Sequence, residues 1–123
     1  MRRIKFKGYG VVLPKNTVSF KNHIRYRISE GETQLQLAVA ACEKALKNSN
    51  ISINDIDCIV SASAVGVQPI PCMAALIHEK IAKGTSIPAL DINTTCTSFI
   101  TALDTMSYLL EAGRYERVLI VSC

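Results

Sequence analysis

From residue 33 to residue 122 the chain alternates between two hydrophobic rhythms, one with the period of a helix and the other an unbroken apolar run of strand length. Leu35, Ala38, Val39, Cys42 and Leu46 recur at three- and four-residue spacing. They give one face of a helix that Thr33 can cap and that the Asn48-Ser49-Asn50 cluster ends. Residues 56–64 follow without polar alternation, the pattern of a strand buried on both faces. A second helical face, Met73, Leu76, Ile77 and Ile81, starts near Pro71 and stops at Lys83-Gly84. Proline suits a first turn, where its missing N–H would have had no partner. Residues 87–92 form the next strand, and a third helix runs from Cys96 to about Ala112, with Gly113 as its left-handed stop. Residues 118–122 are a last apolar strand.

Ahead of these elements, residues 4–13 alternate loosely and end at Leu13-Pro14, which predicts a first strand. Residues 15–31 are polar and aperiodic, which predicts a loop. The order strand, helix, strand, helix, strand, helix, strand makes an α/β layer around a mostly parallel sheet, with helices on both faces. With 123 residues and 49% hydrophobic content there is material for one core, and no repeat or linker divides residues 1–123.

Several function classes drop out. Lys and Arg outnumber Asp and Glu by 14 to 10, a scattered excess without the clustered basic face and aromatic partners that nucleic acid requires. Cys42, Cys58, Cys72, Cys96 and Cys123 are far apart and odd in number, so neither a disulfide framework nor a metal site is expected. A reducing, cytoplasmic compartment is the expectation. The apolar runs are shorter than a membrane span and the first residues have no signal-peptide core, which argues against a membrane protein.

The third helix is unusual in charge. It presents Phe99, Ala102, Leu103, Met106, Leu109 and Leu110 on one face, and between Cys96 and Ala112 its only charges are Asp104 and Glu111. That composition predicts a helix covered on more than one side. The sequence stops at Cys123 inside an apolar strand, so more protein is expected to follow, in the chain or as a partner.

The strongest local signal is Asp91-Ile92-Asn93-Thr94-Thr95-Cys96-Thr97-Ser98-Phe99, a cysteine at a strand-to-helix junction. Unpaired N–H groups at a helix start favour an anion, which would lower the thiol pKa and raise the fraction of attacking thiolate. Small neighbours leave access to the sulfur. On those facts alone a cysteine is still commonly a small buried hydrophobe. A phosphatase-like loop would need an arginine six positions on, where Ala102 stands. A papain-like site would need a histidine, but His23 lies in the expected loop and His78 in mid-helix. Gly8-Tyr9-Gly10 resembles the start of a dinucleotide fingerprint, yet Leu13 replaces the third glycine and no helix follows directly.

Taken in order, several pieces resemble the N-terminal half-domain of ketoacyl-acyl carrier protein synthase III and its relatives in the thiolase superfamily. They are Gly8 to Pro14, Leu37 to Leu46, Asp55 to Val60, Ile70-Pro71, Asp91 to Phe99, and Ala112 to Tyr115 before Val118 to Val121. The resemblance implies a thiolase-like half-domain over residues 1–123, whose third helix is central in the full-length fold. It implies that Cys96 takes an acyl group from a coenzyme A or acyl carrier protein thioester, its backbone N–H helping to hold the oxyanion. Condensation with a malonyl thioester would follow, in fatty-acid or related lipid synthesis. No tightly bound cofactor is implied. The family's histidine and asparagine would lie beyond Cys123, so residues 1–123 alone would be inactive.

The same resemblance implies a homodimer through the strand bounded by Ile87 and Ile92, with Ile70 reaching into the partner's acyl pocket and Phe99 also on the substrate side. Arg25 and Arg27 match the basic end of a loop that holds coenzyme A in relatives, but that loop is short here and has no tryptophan. Whether coenzyme A or the carrier protein delivers the primer stays open. Ser98 stands where glycine is usual, a change expected to narrow or re-aim the pocket near Cys96. Alternatives are a hydroxymethylglutaryl-CoA synthase-like enzyme, a relative transferring acyl groups to oxygen or nitrogen, and, outside enzymes, a flavodoxin-like or receiver-type module. The last lacks the acidic cluster a receiver needs at the end of its first strand.

Overall fold

The computed structural model describes residues 3–123. Its elements are strands β1 (Asn16–Phe20) and β2 (His23–Arg27), helix α1 (Gln34–Ser49), strand β3 (Cys58–Ser61), helix α2 (Met73–Ile81), strand β4 (Ala89–Asp91), helix α3 (Ser98–Glu111) and strand β5 (Val118–Val121). Strands β3, β4 and β5 form a parallel sheet in the order β4-β3-β5. The α/β class with a parallel sheet is therefore as the sequence indicates.

Alternation along the strands divides the core between two helical layers. Ile59, Leu119 and Val121 point to the face covered by α1 and α2, where they meet Ala38, Cys42 and Ile77. Cys58, Val60 and Ala62 point to the other face and meet Ala102 and Met106 of α3. Every residue of β3 is buried, which explains its lack of polar alternation. Beyond that layer, α3 has no second cover among the described residues, and Ile100 and Tyr108 are 66% and 58% exposed.

Helix ends follow local chemistry. The Thr33 hydroxyl accepts from the Gln36 N–H at 3.1 Å while the Gln36 side chain accepts from the Thr33 N–H at 2.9 Å, a reciprocal cap on α1. Asn50 ends the helix in the left-handed conformation, with φ 55°. Helix α2 starts later than expected: Pro71 lies outside it, after a cis Ile70–Pro71 bond, and Cys72 occupies the cap position without a side-chain bond to offer. Its first amides are satisfied from across the fold, because the Asp91 carboxylate accepts from Met73 N at 3.0 Å and Ala74 N at 2.8 Å. Gly113 supplies a φ of 72° just past α3, as its position predicts.

Two expectations for the first 31 residues are overturned. Residues 15–31 contain an antiparallel hairpin instead of a loop, with Asn16 opposite Arg27 and Phe20 opposite His23. A period of two was present in Val18 and Phe20, and in Ile24 and Tyr26. It was obscured because both faces are exposed and each joins the apolar side of one strand to the polar side of the other, so neither face of the hairpin is consistently apolar. Lys21 takes a left-handed φ of 53° at the turn, and the Glu32 carboxylate closes the base by accepting from Ser29 N at 2.8 Å and Lys15 N at 3.2 Å. The Ser29 and Lys15 contacts hold that carboxyl below its usual range.

The second correction concerns residues 4–13, which form no strand. The segment lies along α1, and its carbonyls are taken by helix side chains: Lys44 Nζ donates to Val11 O at 2.9 Å and Asn48 Nδ2 to Tyr9 O at 2.9 Å. The approach is too close for side chains. A Cβ on Gly8 would stand 2.7 Å from Ser49 Cβ, and one on Gly10 would stand 2.6 Å from Ala45 N. These two glycines let backbone meet helix, which accounts for Gly8-Tyr9-Gly10 without any dinucleotide.

Candidate active site

Cys96 is exposed in a short 3₁₀ turn, Thr95–Thr97, between β4 and α3. It stands past the C-terminal end of a parallel strand, where open α/β sheets generally present ligand-binding groups. The other cysteines differ in setting. Cys42 and Cys58 are buried, and burial pushes both thiols up, Cys42 to about 12. Cys72 is half-buried and Cys123 exposed, and all are free thiols.

The turn around Cys96 is held by side chains. Thr95, a β-branched residue, adopts a left-handed φ of 59°. The Asn93 side chain accepts from Thr95 N at 3.0 Å and donates to Ala64 O at 2.9 Å. Ser98 accepts from Thr94 N at 3.0 Å and donates to Thr95 O at 2.6 Å. The Thr97 hydroxyl donates to Thr94 O at 2.8 Å, and the Thr94 and Thr101 hydroxyls meet at 2.7 Å. Ser98 is 2% exposed and its hydroxyl is spent inside the turn. It braces the backbone beside Cys96.

The remaining candidates lie on separate elements. Ile70 is 87% exposed on the loop between β3 and α2, an apolar side chain presented to whatever approaches that loop. Arg25 and Arg27 are exposed on β2 and, two residues apart, share one face of the hairpin with the partners Val18 and Asn16. Phe99 borders a cleft of about 700 Å³ between the segment of residues 3–11, α1, α3 and β5, and Cys96 does not line that cleft. Among the described residues, no three His, Cys, Asp or Glu side chains are grouped to hold a metal ion, and no helix is long and apolar enough to cross a membrane.

Sequence reasoning fixed on Cys96 and passed over Asp91, Asn93 and Thr95. The available signal was a run of Asn, Thr and Ser at a strand-to-helix junction, residue types that bond to nearby backbone. Which amide each would hold depends on the fold, and Ala64 is 29 residues away from Asn93.

Comparison with known proteins places this geometry. Residues 90–123 match the family described as 3-oxoacyl-[acyl-carrier-protein (ACP)] synthase III. A beta-ketoacyl-[acyl-carrier-protein] synthase III of Streptomyces coelicolor is 34% identical over 97 residues, covering 79% of this chain and 29% of the relative. The corresponding Bartonella tribocorum protein is 31% identical over 139 residues, covering 98% of this chain and 43% of the relative. The crystal structure of 3-oxoacyl-[acyl-carrier-protein] synthase III from Aquifex aeolicus superposes with a TM-score of 0.86 at 27% identity, over 94% of this chain and 42% of that one. The chain thus spans less than half the length of these relatives.

Proposed function

Because this chain is 3-oxoacyl-[acyl-carrier-protein] synthase III-like in sequence and thiolase-like in fold, we propose that Cys96 is the acyl-accepting nucleophile of a condensing acyltransferase. The thiolate attacks the carbonyl carbon of a coenzyme A or acyl carrier protein thioester, the new sulfur–carbon bond forms, and the donor leaves as its thiolate. The Cys96 backbone N–H helps hold the oxyanion while the carbonyl is tetrahedral. Condensation follows when a malonyl thioester loses CO2 and its carbanion attacks the Cys96 thioester, which returns the cysteine to its thiolate. The observation that carries this reading is the position of Cys96: exposed, at a strand-to-helix turn, and inside the stretch that matches the family.

Four subsidiary readings accompany it. Strand β4 is an outer strand of the sheet, and its free edge supports pairing with a second copy through residues 87–92. The exposure of Ile70 supports its reaching into the partner's acyl pocket. Arg25 and Arg27, side by side on the hairpin, suit the phosphates of coenzyme A or an acidic carrier protein. Five free thiols fit a reducing cytoplasm.

The test is incubation of the protein with acyl-coenzyme A and acyl carrier protein thioesters, followed by peptide mass spectrometry. An acyl group on the Cys96 peptide, absent in Cys96→Ala, is expected. An unmodified cysteine, or an adduct that survives the substitution, overturns the assignment. Release of CO2 from an added malonyl thioester then separates condensation from transfer to an oxygen or nitrogen acceptor.

A further inference from the structure

Thr95 sets a problem that its neighbours solve. A β-branched residue at a left-handed φ is disfavoured by roughly 1–2 kcal/mol, and it does not persist unless surrounding bonds hold it. Here both ends of its backbone are held by side chains: Asn93 accepts from the Thr95 N–H at 3.0 Å and Ser98 donates to the Thr95 carbonyl at 2.6 Å. The Thr95 carbonyl belongs to the peptide unit that leads into Cys96. Fixing Thr95 therefore fixes the direction in which Cys96 leaves the strand. The Asn93 amide is itself oriented, because its nitrogen donates to Ala64 O at 2.9 Å while its oxygen faces Thr95.

We infer that Asn93 is a positioning residue for acyl transfer to Cys96, holding Thr95 in its left-handed conformation so that the sulfur is aimed at the incoming carbonyl. The role rests on the proposed function of Cys96 and acts entirely through the backbone. Its second bond ties the turn to residues 62–72, the loop that carries Ile70, so the nucleophile and that loop share one anchor. Ser98 braces the other side of the same residue. Its hydroxyl does here what a glycine at that position has no side chain to do.

Acyl loading of Cys96 is measured by mass spectrometry across thioester concentrations. Asn93→Ala is expected to lower the maximal loading rate about tenfold, with the half-saturating concentration unchanged, since misaimed reacting atoms affect the transition state more than ground-state binding. Asn93→Asp keeps the acceptor for Thr95 and sets an oxygen against Ala64 O in place of the donor, which breaks the Ala64 tie, so it is expected within about threefold of the parent if the Thr95 bond carries the role. Thr95→Gly supplies the decisive background, because glycine adopts positive φ without strain. In that background Asn93→Ala should change the rate by less than about threefold.

A parental rate in Asn93→Ala overturns the role, as does an equal loss in the Thr95→Gly background or an effect confined to half-saturation. A tenfold loss in Asn93→Asp transfers the effect to the Ala64 tie and overturns the assignment to Thr95; this comparison stands even if Asn93→Ala does not fold. A parent that takes no acyl group on Cys96 overturns the functional reading and this role with it. A parent that is acylated at a rate Asn93→Ala matches overturns this role alone.

Discussion

Cys42 and Cys96 carry the same side chain into opposite settings. Cys42 sits on α1 at 2% exposure, in the layer where α1 and α2 meet the sheet, and burial, with Cys123 and Glu43 nearby, pushes its thiol up to about 12. At neutral pH it is a small apolar group that fills space. Cys96 is exposed on a turn held by hydrogen bonds, with little packing around it. The contrast shows that the fold sets the chemistry of a cysteine: one position is built to exclude water and reagents, the other to admit them.

The most demanding test of that contrast is differential labelling. With iodoacetamide at mildly alkaline pH and peptide mass spectrometry, Cys96 should react at least about 100-fold faster than Cys42, which is reached only when the molecule opens. A ratio below about ten would break the comparison. Asp91→Ala sharpens it, because that carboxylate caps α2, and α2 packs beside Cys42. Loss of two charge-assisted bonds should cost about 2 kcal/mol, read by urea unfolding. Labelling of Cys42 should then quicken about 30-fold while that of Cys96 changes less than about threefold. Unchanged protection of Cys42 would show that the cap does not support that layer.

The smallest effect concerns alkaline pH. The Cys42 thiol has an ordinary pKa of 9.0 and a folded value of about 12, so the folded state holds the proton that the unfolded chain gives up in between. Its contribution is fully present below pH 9.0 and is lost as pH rises towards about 12. Thermal melts across that window should show a declining stability, and Cys42→Ala should flatten the decline. An identical slope in the variant would remove Cys42 from the account. Cys58, raised by burial as well, supplies part of what remains.

The core of the molecule was legible because it obeys periodicity. Buried β3, the faces of α1 and α2, and the stops at Asn50 and Gly113 all sit where spacing and turn chemistry place them. Two of the errors share a cause, which is that the deciding partner lies far away in sequence. Residues 4–13 carry a strand pattern, but what they meet here is α1. Pro71 looks like a helix start, but the cap comes from Asp91, on the next strand. The hairpin was hidden by the exposure of both its faces. At the site, Cys96 was visible as a residue type at a junction, whereas the work of Asn93 needed Ala64 brought beside it.

The seam between the N-terminal segment and α1 has a consequence for how much sequence freedom that segment retains. Contact there is backbone against helix at Gly8 and Gly10, while Phe6, Tyr9 and Val11 are exposed around them. Two positions without side chains, two residues apart, therefore act as a spacing gauge. They set which carbonyl falls opposite Lys44 and which opposite Asn48, and a slip by one residue would present a side chain to the helix backbone. In informational terms the segment's address on the fold is written in its two glycines, and the letters between and around them are free to serve whatever meets the outer surface.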